Sequence, residues 1–506
     1  LKQIGVSTTP VRFDEGGLPI CPHFGHPYLS DNRAGARAKN IVANAGIDSL
    51  VTNQSALCVL EIGFGLGANF LAAAALHERL HGQSGRWLNY VAVEMCPMNR
   101  EDLIRSWQAC NVRRGNERLA ELLLAQWPPL MHGIHRISLP SRIELTLSFG
   151  DAAIVLADVH CAADCVIHDA YSPTINPSMW SDGFIRTLAA RSKPDARLVC
   201  PYRDSNARAR FSRAGYAEFQ EDSNHLLTAR YQPPFHASRL PGLQPARSWS
   251  NKTAIVVGAG LAGMQCAREL ARTGWQVSVI DKQSGLSAAP QQQPAVAAHP
   301  HFSVDDNPLA RLTRAAYLLS RNDRQTLQPI GRLMLMGNAQ LDALTPLLTD
   351  CPGSFAQPVS SSQASEIAGT PLNHDALWLP EMPIRLSDAQ APPAAAAAAV
   401  GIQWLSPQEL SNIQYRDGLW RCLDENQQLI GSASVVVLAT GHLPSALQAN
   451  LWPGTLVHQG QSTSIQSNAI TLRCVIGGAS YACPLPGVHQ ILAGATTVDA
   501  PAITCL

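Results

Sequence analysis

Charge is scarce in this 506-residue chain: only 15% of it is Asp, Glu, Lys or Arg, and 38 acids balance 38 bases to a formal net charge of zero. No chain-wide basic field exists to draw in nucleic acid, so any RNA partner must be met by a local patch. The 13 cysteines form no paired CxxC framework, and their odd number points to reduced thiols and a cytoplasmic setting rather than a disulfide scaffold. The first residues, Leu1-Lys2-Gln3-Ile4-Gly5, lack the basic segment and apolar core of a leader. No apolar run approaches the roughly 18 residues of a membrane span. Repeats of solenoid period are also missing. What is abundant is hydrophobic side chain, at 46%, which rules out disorder as the dominant state. The length suits two or three domains.

The chain divides at Pro233-Pro234 through Pro241 to Pro245, where repeated prolines deny backbone donors to helix or sheet. We read 233–249 as a linker. On either side the same grammar appears: a buried strand, a glycine turn, a helix, then another strand. Leu57–Ile62, a helix through Leu80 and Asn89–Glu94 carry it in the first half; Ala254–Val257, a helix through Arg272 and Gln276–Ile280 carry it in the second. Alternating strand and helix predicts α/β architecture, a parallel sheet with helices on both faces. The alanine run 394–399 is expected to be a plain helix.

In the first half, Glu61 leads into Gly63, Gly65 and Gly67, three glycines at alternate positions that let backbone approach a ligand where a side chain would collide. Alone, such a turn need be no more than a tight strand–helix connection. Glu94, at the end of the next strand, can accept both hydroxyl protons of a ribose, and Asp151, after the strand beginning at Ile143, can accept from an adenine amino group. The three together suggest S-adenosylmethionine. Farther on, Val166-Ile167-His168-Asp169-Ala170-Tyr171 runs an apolar strand into an acid, an aromatic and a loop stiffened by Pro173 and Pro177. An amine must lose its proton before attacking a methyl sulfonium, so a carboxylate there can orient and accept from it. Asp169 is the candidate catalytic residue, and Tyr171 a candidate substrate contact.

These residues, with the Trp127-Pro128-Pro129 and Asn176-Pro177…Trp180 segments, resemble the methyltransferase half of the bifunctional tRNA 5-methylaminomethyl-2-thiouridine biosynthesis (MnmC) family. The resemblance implies methyl transfer from S-adenosylmethionine to the aminomethyl group of a wobble uridine in tRNA, with Asp169 as the base. The arginine-rich stretch of Arg186, Arg191, Lys193, Arg197, Arg203, Arg208, Arg210 and Arg213 then becomes the candidate phosphate contact, Arg203 and Arg208 foremost.

In the second half, Gly258, Gly260 and Gly263 form GxGxxG directly after a strand, and Asp281 ends the next strand close to the roughly 20-residue spacing of a ribose-binding acid. This is a Rossmann dinucleotide fingerprint. These residues alone leave FAD and NAD open; the later strand ending in Ala439-Thr440-Gly441 resembles two-dinucleotide-fold flavoproteins, and FAD is preferred. The Pro294–Ser303 segment and Ala376–Pro380 resemble the oxidase half of the same family. That implies flavin-dependent oxidation of the C–N bond of carboxymethylaminomethyl-uridine, with imine hydrolysis releasing the amine that the first half methylates. His299 and His301 lack further ligands at metal spacing, and no metal is expected.

The organisation read from the sequence is a Rossmann-like methyltransferase domain (1–232), a linker (233–249) and a Rossmann-type FAD-dependent oxidoreductase domain (250–506) incomplete at its C-terminal end. No membrane and no obligate protein partner are expected. Two other readings stay open: a methyltransferase with a vestigial oxidase half, and a small-molecule FAD amine oxidase.

Overall fold

The computed structural model describes residues 3–6, 9–29, 31–50, 56–82, 85–202, 205–222, 226–233, 251–282, 295–297, 299–320, 328–386, 401–405, 408–441, 447, 458–467, 470–478, 480–485 and 489–499. The linker beyond Pro233, the alanine run and Arg203 lie outside them.

The first half builds one eight-stranded sheet in the order Gly133–Leu139, Ile143–Phe149, Trp87–Glu94, Ala56–Ile62, Ala163–His168, Ser192–Cys200, Leu227–Tyr231, Tyr216–Glu221. Its five inner strands are parallel and the outer ones antiparallel. Ala56–Ile62 sits in the middle, with Trp87–Glu94 beside it on one side and Ala163–His168 on the other, so its carboxyl end is the switch point where such sheets open a crevice. Ala56–Ile62, Trp87–Glu94 and Ala163–His168 are buried along nearly their whole length, as strands covered on both faces must be. Separate hydrophobic clusters bury the two faces: Ile41, Phe70, Tyr90 and Trp107 belong to one, and Trp180, Ile185, Phe211 and Tyr216 to the other.

The second half carries a parallel four-stranded sheet, Gln403–Trp404, Gln276–Ile280, Thr253–Val257, Val435–Leu438, with the helix Leu261–Arg272 on it. A seven-stranded, largely antiparallel sheet follows, in which Arg332–Leu335 pairs with Ala376–Leu379 and Val475–Gly477. The α/β class and the first strand–turn–helix of each half are as the sequence predicts. The helix expected through Leu80 runs Ala68–His81, and that expected through Arg272 runs Leu261–Arg272, followed by Gly274 at φ 85°.

The halves are packed together in a way the proline boundary gave no sign of. Ile4 belongs to the apolar cluster of the second half, its amide donating to Leu347 O at 3.0 Å while its carbonyl accepts from His132 N at 2.8 Å. A side chain on Gly5 would run into the Asp350 backbone, so only glycine passes there. Across the same seam Arg272 reaches Glu144 at 2.7 Å and lies over the Trp87 ring at 4.6 Å.

Candidate functional site

At the switch point the backbone turns from Ile62 through Gly63 (φ 89°) and Gly65 (φ 52°) to Gly67 (φ 69°), left-handed positions that side chains resist. A Cβ on Gly63 would stand 2.5 Å from the Asp169 carbonyl oxygen, so the turn and the acid-bearing loop can abut only with glycine there. Gly67 caps the helix Ala68–His81, and the Phe64 ring fills the space its side chain would need. Phe64 in turn stacks on Trp127, whose Nε1 donates to Met98 O at 3.0 Å. The Trp-Pro-Pro segment therefore braces the glycine turn from below.

A cavity of about 990 Å³ opens over this turn, lined by Gly63, Gly65, Glu94, Asp151, Asp169 and Tyr171 among others. Six of the candidate residues named from the first half thus meet in one place. Glu94 holds the turn, Oε2 accepting from Gly65 N and Oε1 from Cys96 N, both at 2.7 Å. Burial pushes its carboxyl above the usual range, and those backbone donors oppose the shift. Asp151 caps the helix Ala152–Asp158, Oδ1 accepting from Ala153 N at 2.9 Å. Tyr171 donates to His26 O at 3.3 Å and packs on Phe24.

Glu61 and Gly67 do not line the cavity. Glu61 is fully buried beneath it, accepting from Asn69 Nδ2 at 2.7 Å and Tyr90 OH at 2.9 Å. Desolvation pushes its carboxyl up to about 8, so at neutral pH it is largely protonated. Its place is beneath the cavity, where it supports Asn69.

Asp169 is bound by more partners than the sequence indicated. Arg37, on the helix Ala34–Asn44, grips both carboxylate oxygens, at 2.6 and 3.1 Å, and Asn69 Nδ2 adds a third bond at 3.0 Å. The carboxylate keeps the Arg37 guanidinium charged, above its ordinary range. His168, beside it, is a core residue: its Nε2 bonds Met179 O at 3.1 Å, its ring packs on Trp180, and burial lowers it to about 4. Trp180 Nε1 donates to Tyr171 O at 2.7 Å, so the Asn-Pro…Trp motif pins the loop that carries Asp169.

The basic stretch is not a continuous patch. Arg191 is buried, its guanidinium donating to Val159 O at 2.6 Å and Leu156 O at 2.8 Å, and Lys193 pairs with Asp164 at 2.7 Å. Arg213 pairs with Asp182 at 2.7 Å, and Arg210 and Arg186 face the same acid. Arg208 is exposed and lies over Phe219 at 5.2 Å.

In the second half Gly258 (φ 101°) lies against the Ala439 carbonyl, and Gly263 against Gly258 O, so both must be glycine. Asp281 Oδ2 accepts from Ala259 N at 2.7 Å, tying the end of one strand to the turn of the next. A Cβ on Gly260 would meet nothing within 4 Å, which leaves the outer side of the turn open for a phosphate at the helix start. The donor set fits a dinucleotide. Among the described residues no group of three or more His, Cys, Asp or Glu could hold a metal ion.

Two enzyme classes are therefore joined in one chain. Residues 115–217 match the family model of S-adenosyl-L-methionine-dependent methyltransferases and residues 253–502 that of FAD dependent oxidoreductases. The preference for FAD is borne out. The tRNA 5-methylaminomethyl-2-thiouridine biosynthesis bifunctional protein MnmC of Cupriavidus necator is 30% identical over 92% of this chain and 74% of its own length; that of Azoarcus sp. is 31% identical over 86% and 70%. The chain belongs to the MnmC family, as its motifs suggested. Among solved structures, glycine oxidase from Geobacillus kaustophilus is 22% identical, covering 49% of this chain and 72% of its own with a TM-score of 0.39.

Proposed function

We propose that the protein finishes a wobble uridine of tRNA in two steps: FAD-dependent removal of the carboxymethyl group from 5-carboxymethylaminomethyl-(2-thio)uridine, then S-adenosylmethionine-dependent methylation of the exposed 5-aminomethyl group. Residues 1–232 carry the second step and 250–506 the first. The observation that carries this reading is the meeting of the glycine turn, Glu94, Asp151 and Asp169 in one cavity of a chain that also contains the dinucleotide turn.

Gly63 and Gly65 let the donor approach the backbone, Glu94 takes its ribose hydroxyls, and Asp151 its adenine amino group. Asp169 orients the acceptor amine through its carboxylate, and Tyr171 flanks the uracil ring. In the second half Gly258, Gly260 and Gly263 cradle the pyrophosphate and Asp281 takes the ribose of FAD. The flavin supplies two-electron oxidation of a C–N bond; the protein's share is to hold it and exclude water. Arg208, with Arg186, Arg210 and Arg203, contacts tRNA phosphates.

No described helix is long and apolar enough to cross a membrane, and a cytoplasmic location follows from a tRNA substrate. Both family models match in order, so neither a methyltransferase with a vestigial second half nor a small-molecule oxidase is favoured. The test is Asp169→Asn: S-adenosylmethionine binding by calorimetry should persist while methyl transfer to 5-aminomethyluridine-containing tRNA falls by at least 100-fold. Unchanged transfer would remove Asp169 from the reaction.

A further inference from the structure

A cation, Arg37, faces the Asp169 carboxylate, and its role below rests on the methyl-transfer reading above. Arg37 stands on a helix that precedes the whole sheet in sequence, 132 positions from Asp169, yet it makes the two-point grip described above and lines the same cavity. Its side chain is 31% exposed and that of Asp169 16%, so the pair sits at the wall of the cavity and is only partly screened by solvent. A bidentate guanidinium–carboxylate pair is rigid and has no net charge.

The acceptor's ordinary state conflicts with its chemistry. An alkylamine is an ammonium at neutral pH, and its nitrogen has no lone pair to give. Methyl transfer needs the neutral amine: the nitrogen lone pair forms the new N–C bond, the C–S bond breaks, and its electron pair stays on sulfur as a neutral thioether. The secondary ammonium that results then loses a proton to solvent. A bare carboxylate at the amine's seat would stabilise the unreactive ammonium, whereas a like charge close by disfavours it.

We propose that Arg37 is a positioning residue for methyl transfer, fixing both oxygens of Asp169 and, as a built-in cation beside the acceptor's seat, biasing the bound amine toward its neutral, nucleophilic form. The other groups around the pair do not supply that charge. Asp31 precedes the same helix, Glu61 and Tyr90 lie below on their strands, and Glu94 ends the next strand with its oxygens on Gly65 and Cys96. His168 adjoins Asp169 as a neutral core imidazole, Cys200 faces both partners from its strand, and Tyr28 and Tyr171 line the cavity as phenols. Arg33 and His26 also line the cavity, but Arg33 is exposed and paired with Asp31 at 2.8 Å, and among these described neighbours Arg37 is the cation that binds Asp169.

The experiment is the pH dependence of single-turnover methyl transfer between pH 6 and 10. It uses the full chain, saturating S-adenosylmethionine and tRNA bearing 5-aminomethyluridine, for the wild type, Arg37→Gln and Arg37→Lys. The acid limb of the rate reports ionisation in the ternary complex. In Arg37→Gln that limb should move up by about one pH unit, the size of one nearby charge. In Arg37→Lys it should stay within a few tenths of a unit while the plateau rate drops, because a lysine keeps the charge and loses the two-point grip. An unmoved limb in Arg37→Gln, with the rate lowered equally at every pH, would overturn the proposal. So would a shifted limb in Arg37→Lys, which also decides the matter if the Gln variant does not fold. No transfer by the wild type would refute the methyl-transfer reading instead.

Discussion

Gly63 and Asp169 abut: the Asp169 amide donates to Ile62 O at 3.0 Å, and its carbonyl oxygen lies where a Gly63 side chain would begin. The glycine turn and the Asp169 loop are thus one mechanical unit. Gly63→Ala should force them apart, since φ is also left-handed there. We expect methyl transfer to fall at least 100-fold and stability by about 1–3 kcal/mol, with flavin absorbance unchanged; spectrophotometry and a methylation assay on the same preparation check this.

Glu61 gives the methyltransferase half a pH signature. Its folded value near 8 lies above the unfolded value near 4.5, so between those limits the native state binds the extra proton. Its contribution is therefore complete below pH 4.5 and lost as pH rises toward 8, at a slope of up to about 1.4 kcal/mol per pH unit. Glu61→Gln keeps an acceptor for Asn69 and carries no charge. Its urea midpoint, followed from pH 5 to 8, should decline less than that of the wild type; parallel declines would mean that Glu61 is ionised in the fold.

Arg272 ties the two halves through Glu144, which is 5% exposed at its side chain. Removing the guanidinium by Arg272→Ala leaves Glu144 with Ser138 and Arg136 and uncovers the Trp87 ring. A loss of about 1 kcal/mol is expected, visible as a lower melting temperature and as faster proteolysis at the seam.

For tRNA, the exposed cations rather than the whole arginine stretch should matter. Arg208→Glu should weaken binding and reduce the slope of log affinity against log salt by about 1. Lys193→Glu, which breaks the pair with Asp164, should cost stability without changing that slope. Filter binding across a salt series separates the two.

Much of this was legible because strand, glycine turn and terminal acid follow from local chain geometry: the positions of Gly63, Glu94 and Asp169, and of Gly258 and Asp281, could be read from spacing. The role of Glu61 could not, because whether a strand-end acid faces a cavity or the core depends on what Asn69 and Tyr90 bring from elsewhere. Arg37 was invisible for the same reason: nothing in a helix with Arg37 among alanines signals a partner 132 residues away. The arginine stretch misled because sequence shows charge but not direction: Arg191 turns inward to carbonyls while Arg186 and Arg208 face solvent. Ile4 is another case, since it bonds Leu347 of the other half as well as His132 of its own.

The most direct measurement is mass analysis of the wobble nucleoside after incubating the flavin-loaded full chain with S-adenosylmethionine and tRNA carrying 5-carboxymethylaminomethyl-2-thiouridine. The expected product is 5-methylaminomethyl-2-thiouridine, with the 5-aminomethyl nucleoside accumulating when the methyl donor is left out. Recovery of the starting nucleoside unchanged, together with no methylation of tRNA supplied already in the 5-aminomethyl form, would contradict the assignment of both steps to this chain.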